Sequence, residues 1–329
     1  MIGTDAKVQY AAARSGVGLV DRRDLGVLEA TGRDRATFLN ALLSNDVKSL
    51  VPGQGCAATL LDIHGKVQFV LFVWALDDRL LLVTPPGAAA ATLEALDKYL
   101  FSEKVALRDA SEDWALLLLA GPQAPLLAGR LTGAAPDARP WSHVAARLDG
   151  VDVRLVRGRG ETGEPEVWIA APAADAERVW KALVEAGATV VGAEALDSLR
   201  IEAGTPRFPE DIGPTVLLPE VPSAGLVSHT KGCYPGQEVV VRIRDRGHVN
   251  RHLRGLVLQG DRVPPPGSEV LAGDGVVGAV TSAARSLGLG RPLALALVRR
   301  EHAAAGTALA VRVDGALLPA TVSDLPFTR

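Results

Sequence analysis

Apolar residues recur along this chain with two different periods. Residues 25–31 (LGVLEAT) read as a strand, and Phe38, Leu39, Leu42 and Leu43 then share one face of a helix that begins near Asp34. Ser44-Asn45-Asp46 ends that helix and Pro52-Gly53 turns the chain. Two apolar runs follow, 56–62 and 67–74, joined by Ile63-His64-Gly65-Lys66, a pattern that predicts a β-hairpin. Asp77-Asp78 turns into a run at 79–84, and a helix is expected over 88–101. The order then repeats in outline. A strand is expected at 114–120, a helix at 122–131, and a second hairpin from 151–156 and 166–170. Helices follow at 175–186 and 193–203, the latter ended by Gly204 and Pro206.

Helical periodicity stops near Arg254. Short runs such as GLVLQG, SEVLAG, GVVGAVTSA, LALALVR and TALAVRV then recur at intervals of about 8–12 residues with Gly and Pro between them, the mark of a small all-β barrel. The fold class is therefore α+β rather than a doubly wound sheet. The expected domains are a body at 1–253, with subdomains at about 1–110 and 111–253, and a C-terminal β-barrel at 254–329.

Composition narrows the class. The chain has 329 residues and a net charge of −3, which argues against wholesale binding to a nucleic-acid backbone. Apolar residues make up 48%, enough for real cores, and aromatics only 4%, so those cores rest on Ala, Leu and Val. The two cysteines, Cys56 and Cys233, are far apart and rule out a disulfide scaffold or a cysteine-ligated metal cluster within one chain. The start of the sequence lacks a secretory pattern, and no apolar run reaches the roughly 18 residues of a membrane span. These features predict a cytoplasmic protein with reduced thiols and no membrane partner.

Two glycine patterns, at 53–58 and 158–163, fit a dinucleotide fingerprint as text. Each is followed by a strand rather than a helix N-terminus, so neither can cradle a pyrophosphate. His248 and His252 are four apart, but zinc needs a third ligand and none is supplied at a matching spacing, so no metal site is expected. No nucleophile elbow or HExxH pair occurs.

The segment Lys231-Gly232-Cys233-Tyr234-Pro235-Gly236-Gln237-Glu238 carries the densest chemistry. Its glycines permit a tight turn, and Lys231, Tyr234, Gln237 and Glu238 offer donors and acceptors. Cys233, near Lys231 and the arginines that begin at Arg242, is the candidate functional thiol, and a surface turn around a buried, inert cysteine is the alternative. The stretch after it favours strand through Val239–Val241 and Ile243, and helix through Gly247.

K-G-C-Y-P-G-Q-E resembles the signature of the folate-binding YgfZ family, which is related to the aminomethyltransferase T protein of the glycine cleavage system. AARSGVGLVDRRDLGVLEATGRDRATFLNALLSNDVKSLVPGQG resembles the T-protein opening, LDSLRIEAGTP its Leu-Arg-x-Glu-Ala-Gly helix end, and VVGAVTSAARS, ALALVRRE and LPF its C-terminal domain. The resemblance implies a ring of three subdomains with tetrahydrofolate, or a one-carbon derivative, in its centre. It also implies Glu202 as the pterin carboxylate, able to take the ring N–H and the exocyclic amine as two parallel charge-assisted bonds. Lys231, Tyr234, Gln237, Glu238 and Arg242 are the further folate-binding candidates.

Two departures shape the functional expectation. Phe69 and Val70 stand where the T protein has acidic residues that serve transfer. Thr162-Gly163-Glu164 keeps its second hairpin motif, but Glu161 replaces the preceding tyrosine. The expected function is a tetrahydrofolate-binding protein that supports assembly or maintenance of iron–sulfur proteins, and through them tRNA modification. Its partners would be folate and iron–sulfur proteins or their assembly factors. The alternative is a folate-dependent aminomethyltransferase or demethylase. A third reading, RNA contact through Arg242, Arg244, Arg246, Arg251 and Arg254, is weakened by the overall charge.

Overall fold

The computed structural model describes residues 5–327. Both expected hairpins form, Gly55–Leu61 with Val67–Ala75 and Val151–Arg157 with Glu166–Pro172. Each belongs to a sheet of the same plan. The first sheet runs Gly55–Leu61, Val67–Ala75, Leu80–Thr84, Gly26–Thr31, Ala106–Asp109. The second runs His143–Leu148, Val151–Arg157, Glu166–Pro172, Trp114–Ala120, Gly18–Asp21, with the short Thr189–Val190 added in parallel.

The two-residue period of a strand explains how the sheets pack. In Trp114–Ala120, Leu117 and Leu119 point into the core under the helices Ala124–Thr132 and Ala176–Glu185. Leu116 and Leu118 point the other way, into a central cluster shared with the first sheet. Buried on both faces, the strand reads as an unbroken apolar run rather than an alternating one. The first sheet behaves alike. Leu71 and Val73 pack with Phe38, Leu39 and Leu96 of the helices Arg35–Leu42 and Ala89–Asp97, while Trp74 enters the central cluster.

The barrel is closed, with strand order Arg251–Leu258, Pro292–Arg299, Gly275–Arg285, Glu269–Ala272, Ala308–Val313, Ala316–Ser323. Closure removes the sheet edges that so small an all-β unit would expose.

Three sequence expectations need correction, and one open alternative is decided. Strand Gly18–Asp21 pairs with Trp114–Ala120, so the two subdomains are not the contiguous segments 1–110 and 111–253. The barrel opens at Arg251, and the expected boundary at 254 falls inside its first strand. The helix expected over 88–101 spans Ala89–Asp97. The ambiguous stretch after the signature is a helix, Gln237–Arg246, because Gly236 at φ +76 turns the chain into it and Val240 anchors its buried side. Among the described residues no helix is long and apolar enough to cross a membrane.

Candidate functional site

The folate-binding candidates do not converge. Glu202 is buried, 4% exposed, and both carboxylate oxygens are occupied by the protein itself. Oε1 accepts from Ser198 Oγ at 3.0 Å, Ser286 Oγ at 2.6 Å and Gly288 N at 3.2 Å. Oε2 accepts from Tyr10 Oη at 2.6 Å and Arg14 Nη2 at 2.7 Å. A carboxylate has about four lone-pair sites, so no acceptor capacity is left for a pterin edge. Burial pushes this carboxyl up, but the bonds from Ser286, Tyr10, Gly288 and Ser198 outweigh it and hold the acid below its ordinary range. The expected ligand role conflicts with this saturation.

Lys231 is likewise spoken for. Its Nζ donates to the carbonyls of Asn40 and Leu43, the latter at 2.5 Å, and sits 5.0 Å from the Tyr234 ring centre. It thus caps the C-terminal end of the Arg35–Leu42 helix, where a cation meets the negative end of the helix dipole. Burial pushes the amine down to about 8, against the pull of Asp46, Cys56 and Cys233. Tyr234 is buried in the central cluster, so the first half of the signature is a clasp onto the first subdomain.

Gly236 explains the second half. A Cβ there would fall 2.4 Å from the carbonyl of Asp62 and 3.0 Å from Cα of Gly65. Gly65, itself at φ +78, lies in the tip of the first hairpin. Two glycines therefore meet where two backbones touch. Gly232 has neither a positive φ nor a close neighbour, so the tight turn expected of it is not needed there. Cys233 is exposed on the outside of the clasp, which sets aside the buried alternative. Cys56 lies on the first hairpin, and burial followed by the nearby Asp46 pushes its thiol up to about 12. Gln237 is partly buried, and Glu238 and Arg242 are exposed on the helix that follows.

The five arginines do not form one patch. Arg251 bonds Glu220 at 2.8 Å and Arg254 bonds Asp324 at 3.1 Å, both fastening the barrel. Arg244 pairs with its neighbour Asp245 at 2.6 Å. His248 follows the helix and His252 lies on the first barrel strand, so the pair never shares a helical face. No group of three or more His, Cys, Asp or Glu suited to a metal occurs among the described residues.

A different set of residues gathers where the sheets meet. The chain leaves the second sheet after Asp21 and enters the first at Gly26, and Arg22 lies in that crossing. Its Nη1 donates to Glu161 Oε2 at 2.8 Å and its Nε to Asp24 at 3.2 Å. Its guanidinium lies 5.4 Å from the ring centre of Trp168. Phe72 stacks on Trp141 at 4.4 Å and tilts toward Trp168 at 6.2 Å. Trp168 is 1% exposed, and its indole N–H has no partner among the described residues. Four of the five tryptophans, Trp74, Trp114, Trp141 and Trp168, belong to this cluster or pack against it.

The second hairpin tip supplies the acids. Glu166, fully buried, accepts from Thr162 N at 2.7 Å, Thr162 Oγ1 at 2.9 Å and Gly160 N at 3.1 Å. Burial, aided by the charge of Glu161, pushes it up to about 7. Arg14 holds the same turn through Thr162 O at 3.2 Å and Glu164 at 2.9 Å. Glu161 is 23% exposed and keeps Oε1 free of any partner among the described residues. At the first hairpin, Phe69 lies 5.8 Å from Phe208 and Val70 packs against the central cluster, so no acid stands there. In the sequence Glu161 stands out as a departure, whereas Arg22 and Trp168 carry no local signal. The signal for the site was the concentration of a scarce residue, tryptophan, on strands, or in the turn before one, whose neighbours are Ala, Leu and Val.

Tetrahydrofolate has a pterin whose flat pyrimidine ring presents N–H donors along one edge. The junction offers that group an open carboxylate oxygen on Glu161, a guanidinium on Arg22, aromatic faces on Phe72 and Trp141, and an unpaired indole N–H, a set that fits it. Comparison with known proteins agrees on the family. The GCVT N-terminal domain matches residues 4–231, and the glycine cleavage T-protein C-terminal barrel domain matches 251–328. An aminomethyltransferase of Streptomyces avermitilis is 33% identical, over 98% of this chain and 89% of that protein. One of Thermus thermophilus is 35% identical, over 97% and 89%. The crystal structure of glycine cleavage system aminomethyltransferase T from Bartonella henselae has the same fold, with a TM-score of 0.86 at 24% identity over 98% of this chain and 89% of that one. The chain belongs to the glycine cleavage T-protein family.

Proposed function

We propose that this protein binds tetrahydrofolate or a one-carbon derivative at the junction of its two sheets, and that it serves iron–sulfur proteins in the cytoplasm rather than transferring aminomethyl groups. Glu161 would hold the pterin edge, Arg22 would orient Glu161, and the stacked Phe72–Trp141 pair would offer the ring an aromatic face. Bound tetrahydrofolate supplies a nitrogen that carries a one-carbon unit. Cys233, exposed on the clasp, is the residue through which a partner thiol or iron–sulfur protein would be met. One cysteine cannot hold a cluster alone, so the partner must bring the other ligands.

The observation that carries this reading is the apolar first hairpin. Phe69 and Val70 can neither accept a proton nor orient an amine. Aminomethyl transfer, or a related demethylation, is the second reading, and it is favoured by the likeness to proteins of that name over nearly the whole chain. Titration with tetrahydrofolate, followed by tryptophan fluorescence, tests the binding step, because the central tryptophans report on that site. An aminomethyl donor added to the folate-bound protein separates the two readings. Robust release of a one-carbon product establishes the second, and saturable binding without turnover supports the first. Cys233→Ser should then keep folate affinity and lose support of iron–sulfur enzymes in cells, the substitution being nearly isosteric.

A further inference from the structure

The Leu199-Arg200-Ile201-Glu202 stretch places two charges in the last turns of the Ala193–Ala203 helix, and both are buried. A glutamate so close to a helix C-terminus meets the negative end of the dipole, so its place there calls for a reason. Its donors come from three parts of the molecule. Tyr10 and Arg14 lie on the Ala6–Ser15 helix, and Ser198 lies on its own helix. Ser286 and Gly288 lie in the loop between barrel strands Gly275–Arg285 and Pro292–Arg299. The backbone repeats the theme, since Phe327 N donates to Glu202 O at 2.9 Å. Gly288 leaves no room for change: a Cβ there would fall 2.3 Å from the Tyr10 hydroxyl.

Arg200 ends on the barrel as well. Its Nη1 bonds Asp211 Oδ2 at 2.9 Å, and Asp211 Oδ1 accepts from Ser282 Oγ at 2.7 Å and from Thr281. Both of these lie on barrel strand Gly275–Arg285. Arg14, held by Glu202, also grips Thr162 and Glu164 in the turn that carries Glu161.

We infer that Glu202 is a positioning residue, the bolt that seats the barrel on the body and, through Arg14, fixes the Thr162–Glu164 turn. Arg200 and Asp211 make a second bolt, to the barrel strand Gly275–Arg285 that leads into that loop. The seat exists whether or not folate is the ligand, so its test is independent of the proposed function.

The test is hydrogen exchange on the full-length protein. Glu202→Gln should speed exchange about tenfold or more in two separate places, the 286–291 loop and the 160–164 turn, because local opening free energy sets the rate. Arg14→Ala should speed the 160–164 turn, and adding Glu202→Gln should increase it little further, as expected of residues in one chain of contacts. Ser286→Ala removes a single donor and should loosen the loop, so the test survives if Glu202→Gln does not fold. Wild-type exchange in both segments for Glu202→Gln would overturn the inference. So would a loss of tetrahydrofolate affinity with exchange unchanged, which is the behaviour of a ligand residue. A wild-type protein that binds no folate would sink the proposed function and leave this exchange pattern intact.

Discussion

The two hairpins sit in sheets of the same plan, the first as the edge pair and the second one strand further in, and their tips carry different chemistry. The first, Gly55–Leu61 with Val67–Ala75, is apolar along its strands, and its tip is covered by another piece of backbone. The second, Val151–Arg157 with Glu166–Pro172, is apolar on its strands too, but its tip gathers Glu161, Thr162, Glu164 and Glu166 around Arg14 and Arg22. Two sheets of one plan thus place different chemistry at neighbouring turns. One tip became a docking point for the Cys233 segment and the other kept the polar groups that can meet a ligand.

The sharpest test of that division compares the thiols of the first hairpin region. Cys56, pushed up to about 12 by burial and then Asp46, should alkylate about a thousandfold more slowly than an exposed cysteine, because the thiolate is the reacting form. Cys233 should label rapidly in the folded protein. Equal rates would mean that the strand carrying Cys56 opens readily, and the picture of a sealed first hairpin would fail.

Next in size is the pH response of the second tip. Glu166 is pushed up to about 7, above its unfolded value, so its proton is held more tightly in the folded state. The sign follows: its stabilising effect is complete below the unfolded pKa and is lost as pH rises toward about 7. The loss is about 3 kcal/mol across that window. Glu166→Gln should remove this slope while its amide oxygen still accepts from Thr162. Urea midpoints at about pH 5 and about pH 8 measure it, and an unchanged slope in the variant assigns the dependence elsewhere.

At the first tip, Gly236→Ala should cost about 2 kcal/mol, from the positive φ and the contact with Asp62. Gly232→Ala, with open space around it, should stay within about 0.5 kcal/mol. Similar midpoints for the two variants would show that the signature does not lean on the hairpin. Smallest is Glu161→Gln, expected to weaken tetrahydrofolate binding by about 1 kcal/mol through loss of one charged acceptor. Unchanged affinity takes Glu161 out of the site.

What could be read from the sequence was what local pattern controls. Strand Trp114–Ala120 and helix Ala193–Ala203 carry their period and their punctuation in adjacent residues. Strand Gly18–Asp21 does not, because its partners are almost a hundred residues or more away and four residues show no period. The site divides the same way. The Lys231–Glu238 segment stood out because its residues are contiguous, but nothing local showed that the Lys231 amine would cap a helix end. Glu202 stood out by resemblance, and its saturation depends on Tyr10 and Ser286, both more than eighty residues off. Arg22, Glu161 and Trp168 meet only once both sheets are closed.

Strand Gly18–Asp21 has a further consequence, for synthesis on the ribosome. It leaves the exit tunnel early, yet its sheet neighbours are Trp114–Ala120 and Thr189–Val190. The first sheet is complete once residue 109 has emerged, while the strand at its N-terminal side still waits. During that interval a nascent apolar segment, with the helix Ala6–Ser15 attached, has no native partner. The first subdomain therefore matures first, and the earliest residues made are among the last to find their place. Cutting the gene near residue 110 would separate a strand from the interior of its own sheet, so neither fragment should fold as a faithful half.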